Sequence, residues 1–111
     1  MEKSSLDVVR GTLDVLILKT LSWGSLHGYA IVQAIHRQTG EALLVEEGAL
    51  YPALYRMEGK GWIEAEWGTS TNNRRARFYK LTRVGRKQLT HETSQWRKLA
   101  AAIGRVLGSE A

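Results

Sequence analysis

The sequence of 111 residues has no cysteine, one proline (Pro52) and one phenylalanine (Phe78). The first absence excludes disulfide frameworks, zinc ribbons and thiol nucleophiles together, and it suits a reducing compartment. Long apolar runs are missing too. The longest early one, Val15 to Leu18, is flanked by Asp14 and Lys19, far short of the roughly 20 residues of a membrane span and without a signal-peptide cleavage pattern. A cytoplasmic protein with no membrane partner is expected. His27, His36 and His91 lack metal-ligand spacing. No glycine loop is followed by the lysine of a phosphate cradle, and no nucleophile motif occurs. The carboxylate pairs Glu46 with Glu47 and Glu64 with Glu66 fall at a helix start and on the exposed face of a strand. No metal, cofactor or enzymatic activity is therefore expected.

A further absence is local. From Thr71 through Lys87 there is no carboxylate, while Arg74, Arg75, Arg77, Lys80, Arg83, Arg86 and Lys87 supply seven positive charges. The whole chain carries 16 Lys plus Arg against 11 Asp plus Glu, so the net charge of +5 is a +7 segment on a −2 remainder. Such a segment fits a polyanion better than an ordinary protein surface. With 43% hydrophobic and 24% charged residues, the chain suits one globular domain rather than disorder. A chain of this size buries only about two thirds of its unfolded surface, so an apolar stripe left uncovered is a candidate interface.

Leu13, Leu16, Ile17 and Leu21 have helical spacing between Thr12, an N-cap candidate, and Gly24, which predicts a helix over 12–23. A second helix is predicted over 27–38, with Ala30 or Ile31, Ala34 and Ile35 on one side and Thr39 and Gly40 at its end. Between Glu46 and Lys60, Leu50, Leu54 and Met57 form the inward stripe of a third. Pro52 belongs in a first turn, so this helix is expected to start near Gly48 or Ala49. Glu46 and Glu47 would lie at its positive end, and Gly59 and Gly61 at the other.

Residues 62–67 alternate as a half-buried strand with Ile63, Ala65 and Trp67 on one face. Gly68 to Asn73 reads as a six-residue tip, and Arg75 to Leu81 as the returning strand, with Phe78 and Leu81 inward and Tyr79 on either face. Thr82 caps a final helix over 83–107, nearly 40 Å long at about 1.5 Å per residue. Leu89, Trp96, Leu99, Ile103 and Val106 follow an a/d seam along it, interrupted by Glu92, which assigns this helix to subunit contact. The fold class is mainly α with a two-stranded β-hairpin. It comprises a winged helix-turn-helix DNA-binding domain over 1–82 and a long dimerisation helix over 83–111. In such a domain the third helix enters the major groove of DNA and the hairpin lies on the adjacent backbone or minor groove.

Four motifs also carry a resemblance. His27-Gly-Tyr29, Gly48-Ala-Leu-Tyr-Pro-Ala-Leu-Tyr-Arg-Met-Glu-Gly-Lys-Gly-Trp-Ile63, Arg74-Arg-Ala-Arg-Phe-Tyr-Lys-Leu-Thr82, and Gly85-Arg with Leu89 resemble, in order, the motifs of PadR-type transcriptional regulators. The single C-terminal helix resembles the short-tailed branch, in which that helix, aided by the N-terminal one, forms the dimer. One departure is Asn72-Asn73, where many relatives have glycine. The resemblance implies a homodimeric, sequence-specific repressor on an inverted-repeat operator of double-stranded DNA.

On this reading the DNA-binding residues are Tyr29, Ala49, Tyr51, Pro52, Tyr55, Arg56, Arg74, Arg75, Arg77 and Lys80. Several have a plainer alternative: Tyr51 and Tyr55 as core aromatics, Arg56 as the partner of Glu58 or Glu46, the wing arginines as a solvated hairpin, and Lys80 as merely exposed. In ligand-responsive relatives a tryptophan on the last helix stacks on flat aromatic compounds, and Trp96 resembles it in place. Leu13, Leu16, Ile17, Leu99 and Ile103 would complete a pocket for a small aromatic effector at the dimer interface; alternatively Trp96 only fills the dimer core. The rival functions are a winged-helix protein-interaction module and a DNA-binding protein without an effector. RNA binding lacks an aromatic strand platform.

Overall fold

The computed structural model describes residues 12–108; residues 1–11 of the expected first domain and 109–111 of the second lie outside the described residues. Along the chain run α1 (Thr12–Leu21), β1 (Leu26–His27), α2 (Gly28–Gln38), α3 (Glu47–Gly59), β2 (Ile63–Thr69), β3 (Arg75–Leu81) and α4 (Arg83–Leu107). The strands form one antiparallel sheet in the order β1-β3-β2. The two-stranded hairpin expected from the sequence is thus extended by a third strand. Its two residues pair as Leu26 with Tyr79 and His27 with Phe78, a strand too short for periodicity to reveal.

α1, α2 and α3 close on one core. Their stripes supply Leu13, Ile17, Leu18 and Leu21, then Ile31, Val32 and Ile35, then Leu50, Ala53, Leu54 and Met57; the sheet adds Ile63, Tyr79 and Leu81. α1 ends at Leu21, two residues before the expected boundary, where Ser22 N–H donates to the Leu18 carbonyl at 3.1 Å. His27 is not helical but caps α2, its Nδ1 accepting the Ala30 N–H at 3.2 Å. At the other end of α2 the Thr39 hydroxyl donates to the Ile35 carbonyl (2.9 Å) and accepts from Leu43 N–H (3.1 Å), which starts the turn toward α3.

α3 begins at Glu47, so Pro52 is its sixth residue rather than part of its first turn. The proline deprives only the Gly48 carbonyl of an N–H partner, and Gly48 is exposed to water. Val45 and Leu50, both buried, occupy the two positions of a hydrophobic staple around the Glu46 N-cap and so fix how the chain enters the helix.

β2 and β3 pair from Ile63 with Leu81 out to Thr69 with Arg75, leaving residues 70–74 as the tip. Asn73 there takes φ +60°, a left-handed conformation that asparagine tolerates. Phe78, expected inward, lies instead on the outer sheet face, edge-on to His27 at 5.4 Å between ring centres; Tyr79 and Leu81 take the core face. Single-residue alternation decides this, because Phe78 cannot share a face with Tyr79.

α4 has the predicted bounds. The Thr82 hydroxyl accepts the Gly85 N–H at 3.0 Å, and its oxygen also lies 2.7 Å from the Gly61 carbonyl. Gly85 sits so close to the Trp62 carbonyl that a Cβ would collide with it. That contact anchors the first turn of α4 on the loop before the wing. Among the described residues no helix is long and apolar enough to cross a membrane. Gly85→Ala should force α4 off this loop and lower stability by about 2 kcal/mol in urea unfolding; an unchanged midpoint would contradict the contact.

Candidate nucleic-acid interface

Because Leu50, Ala53, Leu54 and Met57 face the core, the opposite side of α3 is left to solvent, and it consists of Ala49, Tyr51, Pro52 and Tyr55. Tyr55 is 81% exposed, which rules out its reading as a core aromatic. The Tyr51 ring instead lies over the first turn of α2. A Cβ on Gly28 would stand 2.5 Å from the Tyr51 hydroxyl oxygen. Glycine in His27-Gly-Tyr29 thus lets the Tyr51 ring rest on α2, where any larger residue would displace its half-exposed phenol end; Tyr29, the next residue, is exposed.

The wing closes the other side. Pleating puts Trp67, Arg75, Arg77 and Tyr79 on the sheet face turned toward α3. Together with Tyr29, Tyr51, Ser70, Asn72 and Arg74 they line an open cleft of about 500 Å³. Three arginines line it and no carboxylate does. Of the ten residues singled out from the sequence, five (Tyr29, Tyr51, Arg74, Arg75, Arg77) thus meet in this cleft, while Ala49, Pro52 and Tyr55 stand exposed on α3 outside its lining.

The remaining two are engaged elsewhere. Arg56 points to the side of α1, where its Nη1 and Nη2 donate to Asp14 Oδ2 and Oδ1 at 2.8 and 3.0 Å. The partner is neither Glu58 nor Glu46. The Asp14 side chain is almost wholly buried, so this bidentate pair belongs to the framework. Its hydrogen bonds outweigh burial and raise the pKa of the Arg56 guanidinium further. Lys80 alternates to the outer sheet face, 3.7 Å from Glu64. Arg77 lines the cleft but is already engaged, donating to Glu58 at 2.8 Å. Burial raises the pKa of the neighbouring Tyr79 phenol, an effect that the Arg77 charge opposes.

The residues named for an effector pocket also divide. Leu13 and Ile17 lie in the chain's own core, Ile17 with no exposure at all, so they line no open pocket. The stripe Leu13, Ile17, Leu21 is the inward face of α1, and Leu16 is turned to its half-buried flank. Trp96, Leu99 and Ile103 stand exposed on the distal half of α4, together with Val106 and Leu107. Glu92, within the same helix, accepts a hydrogen bond from Gln88.

Sequence reasoning overlooked Asp14 as the partner of Arg56, and Trp67 as a wall of the cleft. Trp67 shares a face with Ile63 and Ala65 as expected, yet it is 58% exposed because it lies beyond the edge of the core. The signal for Gly28 was present in the His27-Gly-Tyr29 motif, but its reason is a contact with a residue of α3.

A family model described as "Transcriptional regulator PadR-like family" matches residues 17–91. A transcriptional regulator from Clostridium thermocellum is similar in structure with a TM-score of 0.80 at 32% identity, over 90% of this chain and 97% of that one. A PadR family transcriptional regulator from Eggerthella lenta has a TM-score of 0.74 at 30% identity, over 91% and 86% of the respective chains. A Lysinibacillus sphaericus protein described as "Uncharacterized protein X" is 30% identical over 97 residues, spanning 87% of this chain and 89% of that protein.

The Asp14–Arg56 pair gives a stability test. Asp14→Ala and Arg56→Ala should each cost about 2 kcal/mol in urea unfolding, and the double variant less than the sum. Strict additivity would show that the pair contributes nothing.

Proposed function

The chain belongs to the PadR-like family of transcriptional regulators and is thereby a DNA-binding regulator, and we propose that it acts in the cytoplasm as a homodimeric repressor on an inverted-repeat operator. Residues 1–82 would engage DNA and residues 83–111 join the protomers. The observation that carries this reading is the cleft without carboxylates in which Tyr51 of α3 meets the three wing arginines. A helix beside a cationic hairpin suits duplex DNA, whose major groove admits the helix and whose adjacent backbone attracts the hairpin. Ala49, Tyr51, Pro52 and Tyr55 would meet base edges, and Arg74, Arg75 and Arg77 the phosphates or the narrow minor groove. Arg56 is withdrawn from this set because Asp14 occupies it, and Lys80 because it lies on the far face of the sheet.

Dimerisation is supported by the distal half of α4, whose Trp96, Leu99, Ile103, Val106 and Leu107 are all exposed in the single chain. A second copy would bury that stripe and hold two recognition helices about 34 Å apart, one turn of DNA. A small aromatic effector would enter beside Trp96 at this seam. It would release DNA only by binding the free and DNA-bound arrangements unequally.

The reading is tested by selecting genomic fragments with the purified protein and titrating one selected duplex at several salt concentrations. With three wing arginines per protomer on phosphates, log affinity should fall against log salt with a slope of about −5 for the dimer. Arg75→Ala combined with Arg77→Ala should lower affinity at least about tenfold and flatten that slope while the sedimenting mass stays dimeric. Affinity that is flat with salt, or equal in the double variant, would favour a protein-interaction module instead.

A further inference from the structure

The three wing arginines are held in different ways. Arg77 donates to Glu58 at 2.8 Å, which occupies part of its donor edge and neutralises its charge. Arg75 lies with its guanidinium carbon 4.7 Å from the ring centre of Trp67. Among the described residues, no carboxylate pairs with Arg75 or Arg74. Trp67 is a large apolar side chain at the wing's outer end, 58% exposed and on the cleft face. Two other tryptophans also carry cations, Lys19 over Trp23 and Lys60 over Trp62, but neither pair lines the cleft.

The chemistry of the two contacts differs in what it leaves available. A carboxylate takes N–H donors in the guanidinium plane, whereas an aromatic ring takes the face of that plane. Contact with the ring therefore restrains where the Arg75 guanidinium points while, among the described residues, no acceptor takes any of its five N–H groups. It also pre-orders a side chain whose rotamer freedom would otherwise be lost on binding. We propose that Trp67 is a positioning residue of the DNA interface: its indole holds the Arg75 guanidinium in the cleft with every donor available to a phosphate or a minor-groove acceptor. This rests on the DNA-binding role of the wing. It separates Arg75, held by a ring alone, from Arg77, which lies farther from its ring, 6.0 Å from that of Tyr79, and shares one donor with Glu58.

The test is a double-mutant cycle on the full chain, with a fluorescein-labelled duplex of about 30 base pairs taken from the selected genomic fragments. Trp67→Ala should weaken binding about tenfold in the presence of Arg75, and by less than about twofold when Arg75 is already alanine. Trp67→Phe, which keeps an aromatic face, should restore most of the affinity, and Trp67→Leu, which keeps apolar bulk alone, should not. In NMR spectra of the free protein, the δ-methylene protons of Arg75 should be shifted upfield by the ring and move back in Trp67→Leu. Equal losses in both Arg75 backgrounds, or rescue by leucine as good as by phenylalanine, would overturn the positioning role and leave the wing as a DNA element. If Arg75→Ala bound DNA as well as the unaltered chain, the wing's DNA-binding role would fall, and the role of Trp67 with it.

Discussion

The rotation of α3 about its own axis is the constraint on which the rest of the molecule depends. Three contacts set it from three sides. The stripe Leu50, Ala53, Leu54 and Met57 turns one side to the core; Arg56, tied to Asp14 of α1, fixes a second; Tyr51, lying on Gly28, fixes a third. A helix held at three points around its circumference has one remaining face, and Ala49, Pro52 and Tyr55 occupy it. Turning α3 by one residue's worth, about 100°, would bury tyrosines and expose leucines, so the face proposed to read DNA is a by-product of core packing.

The wing is placed by a second junction. Thr82 caps α4, its hydroxyl lies against the Gly61 carbonyl, and Gly85 lies against Trp62. The hairpin therefore leaves and re-enters the domain through a fixed knot at its base. From that base, pleating alone sends Trp67, Arg75 and Arg77 toward α3 and Lys80 away from it. The seven charges of residues 71–87 are thus sorted by geometry: some face the cleft, Lys80 faces Glu64, and the rest fall on the start of α4.

What the sequence made legible was what local chemistry decides. The bounds and cap of α4 follow from Thr82, the helical period and a stretch without proline, and the structure has them to the residue. The inward trio of α3 and the order of helices and strands follow from period in the same way. What stayed hidden was set across distance. β1 exists only because Leu26 and His27 lie beside β3, and Asp14 meets Arg56 from 42 positions away. Trp67 has the correct face but projects past the core, a fact about where the core ends rather than about alternation. Leu13 and Ile17 were assigned to a shared pocket because an apolar stripe does not say which surface it will cover.

On the proposed function, α3 and the wing act as one surface on duplex DNA while distal α4 lies elsewhere. Amide and side-chain chemical-shift mapping of the isotope-labelled chain with a selected duplex tests it most directly. The largest shifts are expected at Tyr29, Tyr51, Tyr55, Trp67, Arg74 and Arg75, with residues from Trp96 to Leu107 nearly unmoved. Shifts concentrated on Trp96, Leu99 and Ile103, with the cleft silent, would contradict it.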